Sequence, residues 1–290
     1  MKEQFINKRI AVGTANLIAK ADEIISDYYA QGYVLTVRQV YYQFVARDLI
    51  PNTEEWYKRI VNILNSGRLM GLIDWSAIED RTRGISSPAT WDSIQDIAQS
   101  AVDSFAVDRW QGQPNRIEVW VEKDALVGII AQACKPLQIP YFSCRGYASQ
   151  SSLYRASKRI IQSMHEGQEP IILHLADHDP SGIDMTRDIR KRLHMFTGMP
   201  INVKRIALNI EQVRKYHPPP NPTKLTDTRA KGYIADFGHE CWELDALEPK
   251  VLNELVTDEV LRYRDPKAWD INIIDEREGK ERLQKLVDEL

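Results

Sequence analysis

Cysteine is scarce in this chain, with three in 290 residues. Cys134, Cys144 and Cys241 are far apart and odd in number, and they form no Cys-x-x-Cys pair. That excludes a disulfide framework and a cysteine zinc site and leads us to expect a reducing, cytoplasmic setting. No apolar run approaches the roughly 20 residues of a membrane-spanning helix. The opening Met1-Lys2-Glu3-Gln4-Phe5 has no apolar centre of the signal-peptide kind, so no membrane partner is expected. Repeats and low-complexity tracts are missing as well. The phosphate loop Gly-x-x-x-x-Gly-Lys-Ser/Thr is absent, which removes the commonest ATP signature. Charge of one sign is not in excess either: the net charge is −3, and such a total does not by itself announce a polyanion-binding surface.

What is present is ordinary in amount and uneven in distribution. An apolar fraction of 43% and a charged fraction of 27% suit a folded protein, and the length allows one large or two modest domains. From Arg187 to Lys215 there are eight Lys/Arg against two acids, whereas from Asp236 to Leu290 there are sixteen acids against eight Lys/Arg. A basic segment beside carboxylates suits a polyanionic substrate held against metal; a solvated helix face accounts for it equally well.

The hydrophobic pattern divides the chain near Gln111-Gly112-Gln113-Pro114-Asn115, the best candidate linker. Before it, an amphipathic helix is expected over about Asn7–Tyr29, a set of short helices and turns over Thr36–Arg83, a turn at Ser86-Ser87-Pro88, and a helix over Thr90–Trp110. After it, strands Arg116–Val121, Pro140–Cys144, Ile171–Ala176 and Ile201–Leu208 alternate with helices near Ala125–Cys134, Ser151–His165 and Ile183–Phe196. That alternation predicts βαβ units, hence an α/β fold with a mainly parallel sheet. The domains read as 1–110 and 111–290. The proline run His217–Pro222 cannot be helix or central strand; Trp242–Leu244 reads as an edge strand, followed by acidic helices.

Chemistry concentrates at two strand ends. The run Ile171–Ala176 leads directly into Asp177-His178-Asp179-Pro180-Ser181-Gly182, and Ile117–Val121 delivers Glu122 to a comparable place. Open α/β sheets hold their ligands in the crevice beyond the carboxyl ends of the strands. Three hard oxygen ligands there, Glu122, Asp177 and Asp179, suit Mg²⁺ or Mn²⁺, because Mg²⁺ takes few carboxylates and keeps other positions for water or phosphate. The plainer reading makes both aspartates turn and cap residues. His178 lies between two candidate ligands, either supporting them or solvated on its loop. Glu240, Glu243 and Asp245 form a further acidic group, read as caps and edge-strand charges rather than as ligands.

A helix starting after Thr36, a candidate N-cap, carries the stripe Val37, Val40, Tyr41, Phe44, Val45. Tyr41 belongs to that stripe and to the core. Tyr42 falls about 100° further round, on the same side as Arg38 one turn earlier. A guanidinium beside a phenol favours the phenolate and also binds phosphate, so the pair is suited to covalent phosphoryl transfer. The alternative is a boundary aromatic with Arg38 stacked on it.

Taken together, Arg38-Gln39-Val40-Tyr41-Tyr42, Val121-Glu122-Lys123-Asp124-Ala125-Leu126, Arg145-Gly146-Tyr147-Ala148-Ser149 and Asp177-His178-Asp179-Pro180-Ser181-Gly182 resemble the A subunit of type IIB DNA topoisomerases (topoisomerase VI) and its meiotic relative. The short reduced forms called mini-A are the most similar. The resemblance covers roughly 36–83 and 118–247. It implies a winged-helix domain carrying the motif Arg-x-x-x-Tyr, followed by a Toprim domain. It also implies that Tyr42 is the nucleophile, that Arg38 stabilises charge on the phosphoryl group, and that Glu122, Asp177 and Asp179 bind Mg²⁺. Double-stranded DNA is then the substrate, cut through a 5′-phosphotyrosyl link by a homodimer in which the tyrosine of one protomer meets the metal of the other. The location would be the nucleoid. The chain has no evident GHKL-type motif set, so any ATP-driven duplex passage requires a separate ATPase subunit. The runner-up is a DNA-binding module that keeps these surfaces without cleaving. A haloacid-dehalogenase-type phosphatase fits poorly, because its nucleophilic aspartate follows the first strand of its sheet and the aspartate pair here follows the third.

Overall fold

A computed structural model describes residues 1–79 and 88–290. The turn expected at Ser86-Ser87 and the end of the 36–83 unit fall outside the described residues. The chain opens with an extended arm whose Gln4 bridges Met70, then forms helices α1 (Val12–Ala30), α2 (Val37–Ala46) and α3 (Glu54–Leu69). The first helix starts later than Asn7, since residues 7–10 take no regular structure. Among the described residues this unit contains no paired strands, only the isolated bridge of Leu35 with Ile78 and that of the arm.

Helix α2 begins where its chemistry says it must. The Thr36 hydroxyl accepts from Gln39 N at 3.3 Å, and the Gln39 side chain accepts from Thr36 N at 2.7 Å, which together close a capping box. Helix α4 occupies Ile94–Ser104, shorter than the 90–110 expected, because Ser93 caps its start by accepting from Asp96 N.

Beyond residue 114 the α/β pattern holds. Strands β1 (Asn115–Val121), β2 (Tyr141–Ser143), β3 (Glu169–Leu175) and β4 (Asn202–Ala207) form one sheet of order β2-β1-β3-β4, with every pairing parallel. Helices α5 (Val127–Cys134), α6 (Gln150–His165) and α7 (Pro180–Thr197) are the crossovers. Side chains alternate along each strand, so the sheet has two buried faces. Trp120, Ile172 and Val203 pack with α6 and α7. Val119, Ile171 and Leu173 face α5 and α10 (Pro249–Leu261), and that core runs without a break into α1–α3. Burial on both faces is why these strands read as near-continuous apolar runs.

The C-terminal third departs from expectation in one place that matters. After α8 (Ile210–Tyr216), the proline run yields only the two-residue strand β5 (Asn221–Pro222), which pairs antiparallel with β6 (Glu240–Cys241) across α9 (Ala230–Phe237). Trp242–Leu244 is therefore not the edge strand expected. Trp242 instead forms an antiparallel bridge with His178, N–H to carbonyl in both directions at 2.8 and 2.9 Å. Leu244–Ala246 then makes a 3-10 turn. Helix α11 (Pro266–Asp288) ends the chain and packs along α4. Among the described residues no helix is long and apolar enough to cross a membrane.

Candidate functional site

The crevice beyond β1 and β3 collects side chains from four places. Glu122 follows β1 directly, and its Oε2 accepts the Asp177 main-chain N–H at 2.9 Å. Asp179 caps α7, accepting from Gly182 N at 2.6 Å and from Ser181 Oγ at 3.0 Å. The plainer reading of Asp179 is thus what its oxygens do here. Gly182 is needed at this turn, since a Cβ there would lie 2.1 Å from the Asp177 carbonyl oxygen. Beneath the loop, Arg205 donates to the carbonyls of Ala176, Asp177 and Gly182 at 2.6–2.9 Å. Burial without a bonded carboxylate pushes its pKa down to about 10.

Asp177 turns the other way. Its Oδ1 accepts from Leu244 N at 2.7 Å, and among the described residues it groups with Glu243 and Asp245, one carboxylate oxygen from each lying within 4.8 Å of the others. The ligand-sized group therefore differs from the expected trio in two of three members. Glu122 and Asp179 stay outside it, and Glu243 and Asp245, read from the sequence as caps, come in. Glu240 remains exposed on β6. The bridge between Trp242 and His178 is the cause, because it lays 242–245 across the Asp177 loop. Glu243 is the extended residue before the 3-10 turn Leu244–Ala246 and Asp245 lies inside that turn, so no strand or helix period pairs them in the sequence. Three hard oxygen donors fit Mg²⁺ or Mn²⁺ by chemistry.

Two cations already hold this group. Arg38 donates from Nε to Asp245 at 2.7 Å and from Nη2 to Glu243 at 2.5 Å, leaving Nη1 for a ligand. The Lys123 ammonium bonds Glu243, lies 2.9 Å from Asp245 Oδ1 and lies 2.9 Å from Asp177 Oδ1. Burial pushes the Glu243 carboxyl up, but Lys123 and Arg38 more than reverse this and hold it below the ordinary range. The converse applies to Lys123: burial lowers its pKa, and the three carboxylates raise it well above the usual value. Asp177 is pushed well up, with burial as the chief cause.

Tyr42 sits against this cluster in the same chain. Its side chain is buried, with the Arg38 guanidinium 5.6 Å from its ring centroid. The stacked-arginine alternative thus describes the geometry. Arg38 pulls the phenol's pKa down as expected, but the net shift is upward. Burial raises it first, Asp245 and Glu243 raise it further, and these outweigh Arg38 and Lys123. Burial is the chief reason, and the two carboxylates that Arg38 pairs with offset its charge at the phenol. Tyr41 is committed elsewhere, its hydroxyl donating to Asn52 Oδ1 at 2.9 Å, as a core residue should. Between α2, α3 and β5 lies a cavity of about 320 Å³, lined among others by Arg38, Tyr42, Lys224 and Glu243, at the lower end of ligand-pocket sizes.

Other candidates resolve into structure. His178 is buried, its Nδ1 2.7 Å from the Tyr233 hydroxyl, among Tyr233, Phe237 and Trp242. Burial pushes its pKa down to about 4, so it is neither solvated nor aimed at the acidic group. Part of the basic segment is paired within the fold, while Arg187, Arg190, Lys191, Arg214 and Lys215 stay exposed, as the solvated-face reading has it. Arg187 pairs with Asp184, Lys204 with Glu259, and Arg190 and Arg192 bond main-chain carbonyls. No protein family and no curated protein was found to match the chain.

Proposed function

We propose that this chain is a DNA-cleaving enzyme of the type IIB topoisomerase kind, with Tyr42 as nucleophile and the acidic group Asp177–Glu243–Asp245 as its Mg²⁺ site. The observation that carries the reading is the convergence of Tyr42, Arg38 and Glu243, from segments about 200 residues apart, on one cavity, with Asp177 and Asp245 grouped against Glu243. In the resemblance drawn from the motifs, 36–83 belongs to a winged helix and 118–247 to a Toprim domain.

In the proposed reaction the Tyr42 oxygen attacks a backbone phosphorus. The Oη–P bond forms as the P–O3′ bond breaks, leaving a 5′-phosphotyrosyl link, and the departing 3′ oxygen takes a proton from solvent. The Tyr42 proton passes to water in the cavity that Tyr42 lines. Such an acceptor is required, because a buried phenol with a raised pKa is not ionised at neutral pH. Arg38 presents Nη1 to the phosphoryl oxygens, where charge develops. A bound Mg²⁺ supplies Lewis-acid polarisation of the phosphate and stabilises the leaving oxygen. Asp179 and Glu122 shape the loop rather than bind the ion. Cutting both strands of double-stranded DNA needs two such sites, hence a homodimer of C₂ symmetry, and strand passage needs a separate ATPase subunit of the GHKL type.

A second reading has its own support. The protonated Tyr42 and the paired Arg38 also suit a DNA-binding module that does not cleave. One experiment separates the two. The protein is incubated with supercoiled plasmid and Mg²⁺ or Mn²⁺, denatured rapidly, and probed for protein covalently attached to DNA. Wild type and Tyr41→Phe should give the adduct, and Tyr42→Phe should give none while still binding DNA. Free-ended breaks from the Tyr42→Phe variant would mean hydrolysis without a tyrosyl link and would end the covalent mechanism.

A further inference from the structure

The Lys123 ammonium makes contacts that a divalent ion in the acidic group would make. Lys123 follows Glu122 on extended chain, φ −101° and ψ 128°, which directs its side chain away from the loop that Glu122 supports. Its Nζ hydrogen-bonds Glu243, and it lies 2.9 Å from Asp245 Oδ1 and 2.9 Å from Asp177 Oδ1. An ammonium has three donors and no acceptor; here Glu243 and Asp245 accept hydrogen bonds from it and Asp177 stands at ion-pair distance. Arg38 touches only two of the three and is more open to solvent, its side chain 41% exposed against 16% for Lys123.

We infer that Lys123 is the resident cation of the acidic group, and that a divalent ion gains Asp177, Glu243 and Asp245 only by displacing it. This rests on the reading of that group as the metal site. Mg²⁺ binds oxygen at about 2.0–2.1 Å, so an ion on these three carboxylates and an ammonium on the same three cannot coexist. Charge leads to the same end. Three carboxylates face Lys123 and Arg38, and a divalent ion added without displacement would put like charges side by side where water screens them little. Lys123 thus keeps the carboxylates together when no ion is present and leaves when one enters.

The test is calorimetric titration of the whole protein with Mn²⁺, without DNA, on wild type, Lys123→Met and Arg38→Met, each confirmed folded by circular dichroism. Displacement predicts that Lys123→Met binds Mn²⁺ more tightly than wild type, on the order of tenfold, and more tightly than Arg38→Met. Equal or weaker binding by Lys123→Met overturns the inference. So does an equal gain in Arg38→Met, which would mean that removing any nearby cation suffices, and so does a wild type that takes up no Mn²⁺ at millimolar concentration. A readout in the wild type keeps the idea open to refutation even if the variant does not fold. The buried Lys123 Nζ–H should give an exchange-protected ¹⁵N signal that disappears on saturation with Mg²⁺, and its persistence in the Mg²⁺-bound protein would refute displacement. Cleavage is scored separately by the tyrosyl adduct. An adduct with an unmoved lysine signal leaves the DNA reading intact and removes this one, and displacement without an adduct does the reverse.

Discussion

Two sets of carboxylates meet at the top of the sheet and are satisfied in opposite ways. Glu122 and Asp179 are held by main-chain amides, of Asp177 and of Gly182. Glu243 and Asp245 are held by side-chain cations, Lys123 and Arg38. Amide donors are fixed by the backbone, so the first pair is tied to the shape of the loop and its release would unmake the turn. Cations on flexible stems can be exchanged for other cations without changing the fold. Asp177 belongs to both sets: its amide serves Glu122, and its carboxylate faces Lys123. The lesson is that the residues most confined by the backbone are the framework of this site, and the exchangeable ones are its working surface.

The contrast can be broken first at Asp245, whose side chain is fully buried. Asp245→Ala leaves the buried Lys123 short of an anion, and losing one member of such a buried group costs about 3–5 kcal/mol. Urea unfolding should show a loss of that size; a loss under about 1 kcal/mol, the level of surface pairs, would mean Lys123 finds water and the cluster is not dry.

Gly182→Ala attacks the amide-held side. The added Cβ would meet the Asp177 carbonyl oxygen, and overpacking of this kind costs about 1–3 kcal/mol, here at the upper end because backbone rather than a side chain must move. The same denaturation experiment, with Mn²⁺ affinity read alongside, should show both stability and binding falling. Unchanged binding would separate the loop from the acidic group.

Acid gives a smaller effect of known sign. Burial holds His174 and His178 neutral, with pKa values pushed from 6.5 down to about 3 and about 4. A depressed folded value means that the unfolded chain binds the extra proton, so stability is present above the unfolded value and is lost as pH falls from 6.5 toward the folded one. Each histidine contributes up to about 1.4 kcal/mol per pH unit across that window. The buried carboxyls Glu122 and Asp177, raised mainly by burial, act in the opposite sense, so the histidine share is isolated by variant. Unfolding free energy should fall less steeply between about pH 6.5 and pH 5 in His174→Gln than in wild type; parallel curves would show that His174 is not the titrating group.

The smallest change is expected at Asp179. As an N-cap whose oxygens bond an amide and a hydroxyl, its replacement by alanine should cost about 1 kcal/mol. Mn²⁺ affinity should stay within twofold of wild type, a factor worth about 0.4 kcal/mol. A large loss of binding by Asp179→Ala would return it to the metal site and erase the division between the two sets.

Much of the architecture was legible in advance because it rests on short-range rules. Alternating apolar runs and helical periods placed all four strands of the parallel sheet, and Thr36 marked the start of α2. Asp177 at a strand end was legible for the same reason. Glu243 and Asp245 were not, because their place depends on the bridge between Trp242 and His178, 64 residues apart by their numbers, and no local pattern encodes such a pairing. Tyr42 was legible as a side chain off the apolar stripe but not as a phenol with a raised pKa, since that answers first to its burial in the folded protein and then to Asp245 and Glu243 from the other end of the chain.

By itself, then, the order of residues determined the helices, the strands, the caps and the carboxylates at the strand ends, for these follow from periodicity and from hydrogen bonds between near neighbours. Only the tertiary structure decided which carboxylates share a site, which cations neutralise them and how Tyr42 is ionised. Electrostatic energy depends on distance through space and on exclusion of water, and neither is written in sequence separation.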